Sequence, residues 1–499
     1  MEELPITIKK GGLSLILNIL TVLFLIGVTL IATRKLDPED YGLYQFVLSL
    51  TQYSWILLGI VTFFSSRQIA RGNNVLKESI TIGFTVILLE TLVFLFLFYL
   101  LKNIFELNVY LIIISSIYAF ILMTSYLFNS IVFSINVVAS YFLNFIQAVS
   151  RFFIILLLLY FLNFPINVET FIIALLLSIL LTFPYYIKEI KKIRTSNSNI
   201  KLISLIKSLW YYPLITSIVS VAASNDTVFM GIFLASTLPI AFFRVAYFVS
   251  NSINYVQAIT SVYYREFLER KDLKLFEQSI KTNLLYTTMI CFLIFGEGNI
   301  VISIFKPVYL QSYTTAIILA FSFILLSLSN LFSQAILGFE KEDVENTKKL
   351  FKKSLFYFNF KVDLFSLIFQ YALLTILVYF SKSYSLESHT IAFYWSIVWL
   401  SVSIFSFLNR LNLFRKHYKF NFPLKYVIRY IIASFVAGLL VYYLRPNIVV
   451  GQLYYQIGIA VLFALLYFAI YVPLLLFLDK SIRRRFLILV KSILKIRIS

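Results

Sequence analysis

Residues 79–100 read SITIGFTVILLETLVFLFLFYL, a run whose only charged residue is Glu90. At 1.5 Å per residue such a run covers the ~30 Å hydrocarbon core of a bilayer. Leu, Ile, Phe and Val follow one another without the in/out alternation of a barrel strand. Inside that core only a helix or a closed barrel satisfies its own backbone, so the stretch predicts a membrane-spanning helix. Outward from it the same pattern recurs at 11–32, 43–64, 109–130, 140–162, 169–187, 209–231 and 239–262, then at 282–304, 312–335, 357–380, 389–409, 425–444 and 453–478. The expected fold is all-α, a polytopic membrane bundle of about 14 transmembrane helices.

Composition agrees. Hydrophobic residues make up 60% of the 499 and charged residues 13%, about half the share in soluble proteins. The net charge of +20 would suit nucleic acid, but its distribution is topological. With the amino terminus inside, 35 of the 43 Lys and Arg lie in or at the edges of cytoplasmic loops. The outer loops hold Arg34, Lys35, Lys102, Lys306, Lys382 and Arg445, while Arg151 and Arg244 fall within spans. This positive-inside asymmetry predicts a multi-pass plasma-membrane protein of a prokaryote with both termini cytoplasmic, and no nucleic-acid partner. The first apolar run has no small-residue cleavage site and reads as a retained helix. A lone cysteine, Cys291, excludes an internal disulfide, and His389 and His417 lie too far apart in the topology for a metal pair, so no metal is expected.

Loop placement divides the chain. Residues 188–208 form a basic cytoplasmic linker with the polar run Thr195-Ser196-Asn197-Ser198-Asn199. It separates an amino-terminal six-helix half, 1–187, from a second half, 209–424. Two additional helices occupy 425–478, and 479–499 reads as a basic amphipathic cytoplasmic tail on the anionic inner leaflet. Repeated halves with a central cleft near the bilayer midplane are a transporter plan.

No Walker A sequence, His-Glu-x-x-His or Gly-x-Ser-x-Gly occurs, so ATP binding by this chain and the corresponding hydrolytic chemistries are not expected, nor is any cofactor. Asp37, Glu39 and Asp40 in the first outer loop leave a membrane glycosyltransferase or ligase as one alternative, against their reading as a turn that starts the second helix. Charges within spans say more, because each costs at least ~2.5–3.5 kcal/mol at the bilayer centre and normally faces the bundle interior. Arg151 and Arg244, one per half, suit an anionic head group, since a guanidinium forks across two phosphate oxygens and stays protonated. Packing or snorkelling is the alternative for both. Glu90 and Asp226 are candidates for ion coupling or a gate, each with a structural alternative. Glu297, between Gly296 and Gly298, reads as lying at a helix break near the outside.

The stretch Leu36-Asp37-Pro38-Glu39-Asp40-Tyr41-Gly42-Leu43-Tyr44 resembles the first outer loop of the polysaccharide-export and oligosaccharide-lipid flippase branch of the multidrug/oligosaccharidyl-lipid/polysaccharide transporters. Arg67-Gln68-Ile69-Ala70-Arg71 is similar to the basic end of that family's second helix, and Pro213 to the proline opening its seventh. Asp226 to Leu234 and Phe243-Arg244-Val245-Ala246 resemble its seventh- and eighth-helix motifs, although Ala241 stands where the family has glycine. The resemblance implies a non-enzymatic flippase that carries a polyprenyl-(pyro)phosphate-linked oligosaccharide from inner to outer leaflet by alternating access, for cell-surface polysaccharide or glycoprotein synthesis. Its partners would be that lipid, the membrane lipids and a coupling cation. Arg151 and Arg244 would meet the phosphate, while Asn144, Gln147, Asn225, Asn251 and Asn254 would meet sugar hydroxyls. A cation-coupled multidrug exporter of the same superfamily is the other transporter reading, with Asp226 or Glu90 as the coupling acid.

Overall fold

The computed structural model describes residues 3–192, 202–256, 273–339, 355–418, 420–446, 452–480 and 482–484. Among them the secondary structure is helical throughout. The helices are α1 (Glu3–Lys35), α2 (Pro38–Tyr53), α3 (Leu58–Ala70), α4 (Leu76–Leu100), α5 (Val109–Ile135) and α6 (Val137–Leu156). Then follow α7 (Val168–Leu180), α8 (Phe183–Ile190), α9 (Leu202–Leu209), α10 (Tyr211–Ser224), α11 (Asp226–Leu234) and α12 (Leu238–Ser250). The rest are α13 (Leu273–Phe305), α14 (Tyr313–Phe339), α15 (Leu355–Ser383), α16 (Ser388–His417), α17 (Leu424–Leu444) and α18 (Leu453–Leu478).

Eleven helices among the described residues are long and apolar enough to cross a membrane. Two bent helix pairs have the length and apolar composition of one span each when taken together, α2 with α3 at 60° and residues 213–223 with α11 at 56°. The eighth expected span, 239–262, is described only as far as Val256, as α12 and a short 3₁₀ turn over Asn251–Tyr255. Most of the expected basic tail, from residue 485 onward, and the linker core over 193–201 lie outside the described residues.

The chain divides into two compact units, Met1–Ala241 and Phe242–Ser499. Helices α10 and α11, expected to open the second half, belong to the first unit. In that unit, local chemistry starts the helices where the turns predict. Pro38 opens α2 behind an extended Asp37, where its missing N–H costs nothing, and Glu39 and Asp40 sit in the positive first turn. Asn108 accepts from the Leu111 N–H (2.5 Å) and Asn167 from the Thr170 N–H (3.0 Å), capping α5 and α7. The Asn108 amide also donates to Glu169 at 2.6 Å, tying the two helix starts together. Phe24 of α1 lies edge-on to Phe145 and Phe152 of α6, and a Cβ on Gly27 would fall 2.7 Å from the Phe152 ring.

In the second unit, α13 crosses α17 at two glycines. A Cβ at Gly438 would lie 2.5 Å from the Phe292 carbonyl oxygen, and one at Gly296 would lie 3.0 Å from that of Gly438. The Gly-Glu-Gly sequence at 296–298 is therefore not a break, as expected, but a point of close helix approach inside the unbroken α13. The Arg445 guanidinium donates to the Gly296 carbonyl at 2.9 Å and to the Tyr313 hydroxyl at 3.2 Å.

Candidate functional site

In the first unit the two bent spans meet at their breaks. Between α2 and α3 the chain runs Ser54-Trp55-Ile56-Leu57, apolar enough that no turn signal marks it. The partner break falls at Asn225, between α10 and α11. The Asn225 side-chain amide donates to Gln52 Oε1 and to the Val221 carbonyl, both at 2.9 Å, and the Tyr53 hydroxyl donates to the Asn225 carbonyl at 3.1 Å. Four residues past Trp55, a Cβ on Gly59 would sit 2.3 Å from the Ser217 hydroxyl, so α3 and α10 touch closely here. Interrupted backbone is tolerated at membrane depth only where protein or enclosed water satisfies it, and in transporters such breaks hold substrate or ions.

Glu90 of α4 completes this arrangement. Its Oε1 accepts from the N–H groups of Leu57 (2.6 Å) and Leu58 (3.3 Å), so the carboxyl caps the start of α3. Its second oxygen is buried with no partner among the described residues. The structure thus gives Glu90 a backbone partner. Trp55, inside the break, stacks on Tyr126 with ring centroids 5.0 Å apart. Asp226 begins α11 and is 1% exposed, within one residue of the same junction.

A cap of this kind is testable by stability. Glu90→Ala leaves two N–H groups unsatisfied in an apolar site and should cost about 1–3 kcal/mol for each group left unpaired. Glu90→Gln keeps an acceptor oxygen and should cost about 1 kcal/mol or less. Thermal unfolding of the purified protein measures both, and an alanine variant as stable as wild type would dismiss the cap.

The polar candidates on α6 share one face. Ser140, Asn144, Gln147 and Arg151 recur at helical spacing, a polar stripe about 16 Å long in an otherwise apolar span. Ser140 donates to Asn129 of α5 at 2.7 Å. Asn136 is taken by capping, accepting from the Ala139 N–H at 3.2 Å. Asn144, Gln147 and Arg151 are half-buried. The Arg151 Nε is buried without a hydrogen-bond partner, and no carboxylate pairs with this guanidinium among the described residues. Its electrostatic neighbours are two buried phenols, Tyr44 of α2 and Tyr118 of α5.

A similar grouping occurs in the second unit. Arg244 of α12 lies over the Tyr247 ring at 5.3 Å. Asn251 and Asn254 follow at helical spacing in the 3₁₀ turn, with the Asn254 amide donating to Asn251 Oδ1 at 2.8 Å. Each unit thus carries an arginine and two amides at helical spacing along one stretch of chain.

One charged residue escaped the sequence reading. Arg410 was grouped with the cytoplasmic loop because the span was ended at 409, but α16 continues to His417 and buries it. Its Nε donates to Asn359 at 3.0 Å, its Nη1 to Ser329 at 2.7 Å and Ser406 at 3.1 Å, and its Nη2 pairs with Asp363. Asn359 in turn donates to Ser333 at 2.9 Å. A single guanidinium therefore ties α14, α15 and α16 together. The available signal was the four-residue spacing of Asn359 with Asp363 and of Ser406 with Arg410, which stacks polar groups on single faces. No cluster of three or more His, Cys, Asp or Glu that could hold a metal ion occurs among the described residues.

No protein-family model matches the chain, and no curated protein does. Solved structures do. The lipid II flippase MurJ in an inward closed conformation is similar with a TM-score of 0.59 at 16% identity, over 93% of this chain and 98% of that one. A mutant of the Vibrio cholerae MATE transporter VcmN is similar with a TM-score of 0.57 at 12% identity, over 82% and 96% of the two chains. An inward-facing MATE multidrug resistance transporter of the MOP superfamily gives 0.59 at 15% identity, over 80% and 96%. The chain is an all-helical, multi-pass membrane protein with the fold that these flippase and multidrug-transporter structures share.

Proposed function

We propose that the protein is a flippase that moves a polyprenyl-(pyro)phosphate-linked oligosaccharide across the plasma membrane, from the inner to the outer leaflet. The observation that carries this reading is the polar stripe of α6 ending at Arg151, a half-buried cation whose Nε is buried without a hydrogen-bond partner and which has no carboxylate partner among the described residues. Such a charge is costly in a membrane unless an anion meets it. A phosphate supplies that anion, and the amides of Asn144 and Gln147 on the same face offer donors and acceptors to sugar hydroxyls. The polyprenyl tail stays in the bilayer while the polar part crosses. Arg244, with Asn251 and Asn254, provides the corresponding set in the second unit, and Asn225 belongs with Asp226 and Glu90 at the paired breaks. There the free oxygen of Glu90 offers a place for a coupling proton or cation, with Asp226 beside the junction as gate. A multidrug exporter would place acids, not arginines, along its substrate path, and the unpaired cation of α6 favours the anionic lipid.

Deleting the gene should cause lipid-linked glycan to accumulate on the inner leaflet. Unchanged levels of that lipid would reject the assignment.

The orientation follows from the basic residues, with Lys191 cytoplasmic and Lys382 external. The sole cysteine, Cys291, is fully buried, so cysteines introduced at 191 and 382 can be labelled one at a time with an impermeant reagent. Intact cells should label at 382 and not at 191. Labelling at 191 would invert the topology.

A further inference from the structure

A furrow runs between α15 and α16 in the second unit, and it differs at its two ends. Toward the charged end lies a cavity of about 260 Å³ with Lys361, Asn409, Asn412 and Lys416 on its lining. Further along the same pair lies a second cavity of about 500 Å³, lined by Leu373, Leu377, Phe380, Tyr394 and Val398, with Ser401 among its few polar groups. Phe405 lines the first cavity, and its ring packs 5.3 Å from that of Phe369.

The residues of the first cavity repeat at helical spacing. Phe358, Lys361 and Phe365 line one face of α15, and Phe405, Asn409, Asn412 and Lys416 one face of α16. From 405 to 416 the cavity extends roughly 16 Å at 1.5 Å per residue. That is about half of the ~30 Å core, the depth of a single leaflet. Apolar rings form the deep end and amides and ammonium groups the shallow end.

Neither lysine has an ion-pairing carboxylate among the described residues. Asp363, two residues beyond Lys361 and so on the other side of α15, is held by Arg410. Lys361 instead lies 4.7 Å from the Tyr357 ring centroid and 5.5 Å from that of Phe358. Asn409 uses its amide on the Phe405 carbonyl at 2.8 Å, leaving its side-chain oxygen toward other donors.

We propose that this cavity binds an anionic glycerophospholipid. The phosphate sits between Lys361 and Lys416, the Asn409 oxygen and the Asn412 amide meet head-group hydroxyls and phosphate oxygens, and one acyl chain lies along Phe358, Phe365 and Phe405. Basic pockets between transmembrane helices near the membrane surface are suited to such head groups. A glycerophospholipid brings hydroxyls beside its phosphate for the two amides to meet, which a bare polyprenyl phosphate lacks. The three aromatic walls decide against a free phosphate ester, which would leave them bare. This site is separate from the polar stripe of α6 and does not depend on the transport assignment. Its occupant would brace α15 against α16 on the side opposite the Arg410 network.

The test uses the purified full-length protein with lipid titrated in detergent and bound lipid counted by native mass spectrometry. Wild type should retain phosphatidylglycerol in preference to phosphatidylcholine. Lys361→Ala and Lys416→Ala should each weaken phosphatidylglycerol by about fivefold, and the double variant by more than either alone, without simple additivity because the two share one phosphate, with phosphatidylcholine unchanged. Lys361→Arg with Lys416→Arg should retain the preference, and thermal unfolding checks that every variant is folded. Glycerol phosphate, lacking the acyl chains, should compete poorly. Wild-type phosphatidylglycerol binding by the folded double alanine variant would overturn the site. Competition by glycerol phosphate as strong as by the lipid would overturn its assignment to a lipid.

Discussion

Replacing Arg151 by alanine should lower transport of lipid-linked glycan by at least about a hundredfold while the protein still inserts and folds. The reason is desolvation. An uncompensated phosphate inside the membrane costs several kcal/mol even after relaxation, and each 1.4 kcal/mol is a factor of ten. The α6 stripe offers amides to sugars, but its only formal charge is the Arg151 guanidinium. Lysine should restore part of the rate, because an ammonium is a point charge that cannot fork across two phosphate oxygens. Glutamate should be worse than alanine, adding repulsion to the lost attraction. Arg244→Ala should behave alike. Transport is followed as the appearance of glycan on the outer leaflet, with protein level measured in parallel. If both alanine variants transport normally, the cationic path is wrong and these arginines serve packing and snorkelling.

The second large effect is on stability. Arg410→Ala should destabilise the protein by about 2–3 kcal/mol, because the buried guanidinium is the shared donor of Asn359, Ser329 and Ser406, while Asp363 is only half-buried. Asp363 would lose its counter-ion, and Asn359, Ser329 and Ser406 would lose a shared donor. Arg410→Lys should recover only part, since three separate acceptor directions cannot be met by one ammonium. Replacing Arg410 by Met together with Asp363 by Leu should cost less than Arg410→Ala, because removing both charges leaves neither stranded. Thermal unfolding in detergent measures all three. A change below about 1 kcal/mol in Arg410→Ala would mean that the network is incidental.

The helical class and most span positions were legible because length and continuous hydrophobicity are one-dimensional signals. The breaks were not. Residues 54–57 include Trp55, Ile56 and Leu57, which are as apolar as the helices they separate, and the carboxyl that makes the interruption tolerable comes from Glu90, more than thirty residues away. The end of α16 was misread for a different reason. Basic residues Arg415 and Lys416 look like a loop, yet they belong to the last turn, where cations suit the helix dipole. At Gly296 the ambiguity lies in glycine itself, which serves either as a flexible backbone point or as an absent side chain. Only its counterpart Gly438, over a hundred residues later, decides for the second.

At the site, the residue types were legible and their grouping was partly so. Asn144, Gln147 and Arg151 fall on one face by helical spacing alone. That Asn136 is spent on a cap, or that Asn225 links two interrupted spans, depends on contacts that no local pattern encodes.

The joined breaks also constrain how the chain is made. The partner that Gln52 and Tyr53 require, Asn225, is synthesised more than 170 residues after them. While the ribosome is still translating the intervening helices, the second span rests in the lipid with an interruption whose neighbour has yet to emerge. The first unit therefore reaches its final form only after the seventh span has entered the membrane.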